Sequence, residues 1–233
     1  VTERIDVERF ERCLVHHCAP TLAGFKPACL FNYSCRFSGR DDDGMQSAAS
    51  CDDNRQRLGR LVHDLQGRLE SFGVRVTVLI VRETGALIYV YRPERLAASI
   101  REDGPRGFLE DHGYDTSSVS ACLKRLSLRI AFCDENRSSS EGKLTFPHEI
   151  GLFLGYPFDD VIGFIENEGR NFICCGCWKV YTDEDNARAS FCRFHTCTTI
   201  YDTLYDKGLR IEDITCREDG STSPYHAAIA SAG

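Results

Sequence analysis

Residues 74–91 read VRVTVLIVRETGALIYVY, two runs of β-branched, aliphatic and aromatic residues joined by a polar Glu83-Thr84-Gly85 turn. Such side chains pack well on a pleated surface, and a glycine-bearing break of this length predicts that 74–81 and 86–91 pair as an antiparallel hairpin. Both runs put apolar residues on both faces, so both strands are expected in the centre of a sheet covered on both faces. Just upstream, Leu58, Leu61, Val62, Leu65, Leu69 and Phe72 recur at helical spacing over 53–72, with Gly73 as the stop. That helix is expected to supply one cover.

The flanking sequence supplies the rest. Residues 6–17 place Val7, Phe10, Leu14 and His17 on one helical stripe, with Asp6 as N-cap. Pro20 is expected to end that helix or restart it, because a helix interior needs the amide hydrogen that proline lacks. ACLFNYS (28–34) predicts a short strand. Short helices are expected after Pro93 and Pro105, and then an amphipathic helix through Val119, Cys122, Leu123, Leu126 and Ile130, capped by Ser117 or Ser118. Residues 146–154 and 158–166 read as two helices split by Gly155-Tyr156-Pro157. FICCGCWKVY (172–181) reads as a strand, and Asp183-Glu184-Asp185 as the acidic start of a helix running toward Gly208. Polar loops are expected near 38–53 and 134–143, and 217–233 as a disordered or loosely docked tail. Together these elements predict one α+β domain over 1–216, with a small mixed sheet, a central antiparallel hairpin and helices on both faces.

Composition narrows the function. At 233 residues, 42% hydrophobic and 27% charged, the chain is that of a globular protein. Lys plus Arg total 28 against 35 Asp plus Glu, a formal charge of −7 with no long basic run, which argues against a nucleic-acid partner. No apolar stretch approaches the roughly 18 residues of a membrane span, and VTERIDVERF is charged where a signal peptide would be apolar. A soluble cytoplasmic protein with no membrane partner is expected. The 13 cysteines, an odd number, point to reduced thiols rather than a disulfide scaffold. Cys13, Cys29, Cys122 and Cys133 lie in or beside apolar runs, where a thiol packs as a small hydrophobe.

Two constellations carry chemistry. The first is Cys174 and Cys177, then Cys192 and His195, a C-x2-C and C-x2-H arrangement that approaches a structural zinc pattern. A tight turn at Gly176 would let the first two thiolates converge, whereas an extended strand would point them to opposite faces. The second is Cys18 in His17-Cys18-Ala19-Pro20. If Pro20 opens a new helix, Cys18 sits at its N-terminus, where amide donors and the dipole favour a thiolate. His17 is its neighbour, and His148 with Glu149 in Pro147-His148-Glu149 are further acid/base candidates. The alternatives are a packed Cys18, a helix-terminal His148 and a Glu149 that satisfies first-turn amides. Tyr89, Tyr91, Trp178 and Tyr181 read as core aromatics or pocket walls, and Arg82, Arg92 and Arg95 as anion ligands or a solvated sheet edge. Dinucleotide, Walker, nucleophile-elbow and zinc-protease motifs are absent from the sequence.

HCAPTLAG (17–24), FPHEIGLFLGYP (146–157) and WKVY (178–181) resemble, in order and spacing, the hallmark stretches of the bacterial DUF3793 family of unknown function, found mainly in anaerobes. The similarity spans about 10–206. It implies a single-domain cytoplasmic bacterial protein and carries over no site residue, and it implies that the WKVY core does not require flanking cysteines. Three function classes follow. One is a thiol-dependent enzyme or redox protein acting on a small substrate through Cys18, with His148 and Glu149. The second is a zinc- or iron-binding module on Cys174, Cys177, Cys192 and His195. The third is a non-catalytic domain that binds a small ligand or a protein partner.

Overall fold

The computed structural model describes residues 5–35, 37, 48–135 and 146–218; for 48–52 only the backbone is described. Helix α1 (Val7–Leu22) leads into strand β1 (Ala28–Ser34), and helix α2 (Ala48–Leu69) into strands β2 (Arg75–Arg82) and β3 (Gly85–Tyr91). Helices α3 (Pro93–Ile100), α4 (Asp103–Asp111), α5 (Val119–Glu135), α6 (Ile150–Phe153) and α7 (Phe158–Glu166) follow. The two-residue strands β4 (Cys174–Cys175) and β5 (Lys179–Val180) precede the long helix α8 (Glu184–Asp206) and the short α9 (Ile211–Ile214).

The fold is α+β, built on the predicted hairpin. The sheet order is β1-β3-β2 with both pairings antiparallel, so the sheet is not mixed. Only β3 is central. Each of its residues is buried, and successive side chains serve opposite layers. Ala86, Ile88 and Val90 face α1, α2 and α8, whereas Leu87, Tyr89 and Tyr91 face α3, α5 and α6. The expectation that both hairpin strands are central is therefore corrected for β2, which forms an edge. Its apolar pattern records cover on both faces, by α2 on one and α5 on the other, and a face can be covered without a strand on each side. A register shift between Val78 and Ile80 lets β2 feed both layers.

The predicted helix over 53–72 is present but begins earlier, within the expected 38–53 loop, and ends in a single 3-10 turn (Glu70–Phe72) with Gly73 at φ +71°. Asp6 caps α1 as expected, the expected acidic start of α8 has Asp183 as its N-cap, and the Ser118 hydroxyl accepts from the Ala121 amide at the start of α5. Four further readings are corrected. Pro20 neither ends nor opens a helix: it lies inside the last turns of α1, where its missing amide costs only one bond. Of 146–154, only Ile150–Phe153 is helical, preceded by a turn at Pro147. FICCGCWKVY is not one strand but a hairpin, β4 to β5, folded around Gly176-Cys177-Trp178. Pro105 sits inside the first turn of α4 rather than ahead of it.

Arg92 is neither an anion ligand nor an edge charge. It is 1% exposed, and its guanidinium donates to the carbonyls of Thr21, Leu22, Phe72 and Cys216, four points on three separate segments. These carbonyls lie at the end of α1, at the end of the 3-10 turn and just past α9; Thr21 and Leu22 also accept from the Gly24 and Cys216 amides, and the planar fork of donors serves all four together. The chain stays docked past residue 216: Arg217 stacks over Phe72, and the Glu218 side chain lies against Gly73. The rest of the predicted tail, like most of the predicted 134–143 loop, lies outside the described residues.

Candidate functional site

The turn from α1 into β1 places a cation in the core. The Pro20 carbonyl accepts from the Phe25 and Lys26 amides, and Gly24 takes φ +79°, so the chain reverses within a few residues. Lys26 then points inward at 8% exposure, Pro27 follows, and β1 begins with Ala28 and Cys29. Cys29 pairs in register with Val90 on the central strand and faces the layer that contains α1. Cys18, about one turn from the end of α1, comes to lie against it.

The groups around Lys26 define the site. Its ammonium lies 4.9 Å from the centre of the Tyr156 ring and 5.6 Å from that of Phe194. Burial works against its charge, but Cys29, Tyr156, Cys177 and Cys18 outweigh that and hold the ammonium above its usual range. No carboxylate is among those groups. The Cys29 thiol is drawn down to about 6, chiefly because Cys18 donates a hydrogen bond to it, with Lys26 and Thr21 adding to the effect against the cost of burial. The Thr21 hydroxyl donates to the Cys29 sulfur at 3.1 Å. Cys18 is pushed the other way, well up, first by burial and then by its bond to Cys29. Of the two, Cys29 holds the thiolate, because it accepts from Thr21 as well as Cys18.

Cys29 is 5% exposed, and what it exposes faces a cavity of about 470 Å³. The cavity is walled by α1 through His17 and Pro20, by α8 through Phe191, Phe194 and His195, and by Tyr156 and Cys177. Cys177 reaches it from the β4–β5 turn. Asp160, 3% exposed on α7, holds that turn in place: it accepts from the Trp178 indole at 2.7 Å and from the Tyr181 amide at 2.7 Å, with Thr182 alongside. Trp178 in turn stacks on Tyr156, and Gly176 lets the turn press against Phe191, where a Cβ would overlap the ring.

The residues predicted from sequence divide between this site and its surroundings. Cys18 is at the site but does not cap a helix N-terminus; it is wholly buried within α1, its thiol protonated. His17 lines the cavity, stacked on Phe31, and burial and His16 lower its pKa, leaving it neutral at physiological pH. His148 is elsewhere: it walls a second cavity of about 300 Å³, packed on Phe164, and burial lowers its pKa as well. The two cavities share Tyr156 and Cys177 as walls, and among the described residues no hydrogen bond joins Cys18 to His148. Glu149 is 4% exposed and is bound to Tyr114 at 2.8 Å and Arg129 at 2.7 Å, which makes it part of the layer between α4, α5 and α6. Of the four zinc candidates, Cys177 and His195 line the first cavity, whereas Cys174 and Cys192 do not. Among the described residues no group of three or more His, Cys, Asp or Glu side chains is placed to hold a metal ion.

The sequence model of the family described as protein of unknown function (DUF3793) matches residues 14–215. The chain belongs to the DUF3793 family. The matched span takes in every wall of the cavity, from His16 to Thr198. No curated protein and no solved structure matches this DUF3793 chain. Among the described residues, no helix is long and apolar enough to cross a membrane.

Sequence reading missed Cys29, Lys26, Thr21 and Tyr156. A signal was present in LAGFKPACLF (22–31), where one lysine stands inside an otherwise apolar stretch. A cation there must either reach water or find partners within the core, and a cysteine three positions on is a candidate partner.

Proposed function

We propose that this DUF3793 protein is a thiol-dependent enzyme or redox protein acting on a small molecule in the cavity beside Cys29. The observation that carries the reading is the buried Lys26, surrounded by three thiols and a phenol, beside a cysteine that opens onto a cavity. A thiolate is the nucleophilic form of cysteine, and a buried ammonium that has no carboxylate partner among the described residues favours that form. Cys29 therefore replaces Cys18 as the attacking sulfur, and Cys18 becomes its hydrogen-bond donor. His16, His17 and His195 line the same cavity; His16 is bound to Asp202, and His17 and His195 are offered as the imidazoles for proton transfer there. His148 would serve only a ligand that extends past Tyr156.

The test is alkylation of the reduced protein by iodoacetamide across pH, with the labelled cysteines mapped by mass spectrometry. Cys29 should react with a half-maximal rate near pH 6, below the value of about 8.5 for free cysteine, and Lys26→Met should move that midpoint upward. Labelling of Cys29 only after unfolding would reject the reading. The second reading, zinc or iron on Cys174, Cys177, Cys192 and His195, draws on Cys177 and His195 sharing one cavity. Stoichiometric metal in protein purified without oxygen would favour it over the thiol reading.

A further inference from the structure

The site holds two thiols in contact, of opposite character. Cys29 lines a cavity and accepts from the Thr21 hydroxyl at 3.1 Å, with its thiol drawn down, and Cys18, with no exposure and its thiol pushed up, is hydrogen-bonded to it from behind. Neither is bonded to another cysteine. Simple nucleophilic catalysis needs only the first. A second sulfur pressed against the first suits two-electron chemistry, in which one thiol is oxidised and the other closes a disulfide on it.

We propose that the Cys18–Cys29 pair reduces a small hydroperoxide, with Cys29 as the attacking sulfur and Cys18 as the sulfur that resolves the product. The proposal rests on Cys29 being the reactive thiol, as argued above. Size selects the oxidant. At 5% exposure Cys29 can be reached by the terminal oxygen of a hydroperoxide but not by a disulfide on another protein, which must bring a sulfur and its backbone to the wall. The cavity walls also favour a carbon-bearing hydroperoxide, since Leu30, Leu154, Phe191 and Phe194 are among them.

The groups present match the electron and proton movements required. The Cys29 thiolate attacks the terminal oxygen; an S–O bond forms as the O–O bond breaks, and the alkoxide leaves with the electron pair. Lys26, on the cavity wall, supplies its proton, so the products are an alcohol, the Cys29 sulfenic acid and a neutral Lys26 amine. The amine then takes the proton of Cys18. Two of the influences that hold Cys18 protonated are the charge of Cys29 and the bond to it, and both are lost once Cys29 has been oxidised. The Cys18 thiolate attacks the Cys29 sulfur, a disulfide forms, and hydroxide leaves as water with the Lys26 proton. Lys26 regains a proton from solvent. The sum is one hydroperoxide and two thiols giving one alcohol, one water and one disulfide, and an external dithiol would have to restore the pair for a second cycle.

A single turnover tests this without that reductant. Reduced protein freed of thiols under anaerobic conditions is given one equivalent of cumene hydroperoxide, quenched with N-ethylmaleimide and mapped without reduction. The expected result is a peptide pair joined through Cys18 and Cys29, formed at least about tenfold faster than free cysteine reacts at neutral pH, since the thiolate fractions of thiols at about 6 and about 8.5 differ about thirtyfold there and the lower pKa gives back part of that in nucleophilicity. Cys18→Ser should instead leave a Cys29 sulfenic acid that dimedone traps, and Cys29→Ser should consume no peroxide. Because the wild-type map needs no variant, poor folding of either variant leaves the main result intact. Three results would overturn the proposal: a disulfide on other cysteines such as Cys177, peroxide loss no faster than in Cys29→Ser, or faster modification of Cys29 by oxidised glutathione. If iodoacetamide still labels Cys29 first in any of these cases, only the hydroperoxide assignment falls. If Cys29 is inert to iodoacetamide as well, the thiol reading falls with it.

Discussion

At the scale of single residues, Lys26 and Arg92 are two buried cations with opposite solutions to burial. Arg92 is neutralised by carbonyl dipoles that its planar fork reaches simultaneously, and it has no chemistry left to do. Lys26 meets thiols and ring faces, which respond to its charge by ionising or polarising. Arg92→Lys should therefore be costly although the charge is kept, because an ammonium cannot reach four carbonyls on three segments. At about 1–3 kcal/mol for each buried acceptor left unpaired, a loss of about 3 kcal/mol is expected in urea unfolding. The Cys29 thiolate predicts a different signature. Its folded pKa lies near 6, below its usual value near 9, so the native state favours the deprotonated form. The stability it contributes is full above about pH 9 and is lost as pH falls through about 6. Thermal unfolding under reducing conditions should show the wild type gaining Tm relative to Cys29→Ser across that window. Parallel pH profiles for the two proteins would mean that Cys29 is not ionised in the fold.

At the scale of elements, the position of the site depends on how turns meet one another. The turn between α6 and α7 packs directly on the turn between α1 and β1: Gly155 takes φ +71°, and a Cβ there would lie 2.3 Å from Pro27 Cγ. Gly155→Ala must strain the backbone and push Pro27 away, which moves both Tyr156 and Lys26. A stability loss of at least about 2 kcal/mol is expected, with slower alkylation of Cys29, read by denaturation and peptide mapping on the same sample. What was legible in the sequence follows from the same distinction. The hairpin, the stripe over 53–72, the cap at Asp6 and the acidic helix start at 183–185 are set by neighbours in sequence, so periodicity and helix-end chemistry found them. The edge position of β2 and the path of α1 through Pro20 depend on what packs against them, and local pattern could not supply that. For the site, the sequence drew attention to Cys18, His17, Cys177 and His195, all of which lie in or behind the first cavity. It could not show that Tyr156 would be the residue brought against Lys26.

At the scale of the whole molecule, the central strand is shared by two hydrophobic layers, and the end of the chain closes one of them. Ile211 and Ile214 of α9 are fully buried in the layer of α1, α2 and α8, and Arg68 on α2 reaches across to Glu212 as well as Glu11 on α1. The Cys216 amide donates to the Leu22 carbonyl, and its own carbonyl accepts from Arg92, so the last docked residues tie directly to the α1–β1 turn that carries the site. Burial of two isoleucines accounts for about 3–6 kcal/mol, which is comparable to the entire stability of many domains, about 5–15 kcal/mol. Ending the chain after Arg210 should therefore do more than trim a terminus: it should abolish a sharp unfolding transition and expose Cys18, Cys29 and Cys197 together. Ending it after Glu218 keeps every one of these contacts and should leave the transition cooperative. The comparison is made by thermal unfolding of the two truncated chains, with free-thiol titration before heating. A sharp transition and unchanged thiol reactivity in the shorter chain would mean that α9 is dispensable and that Arg92 finds other partners.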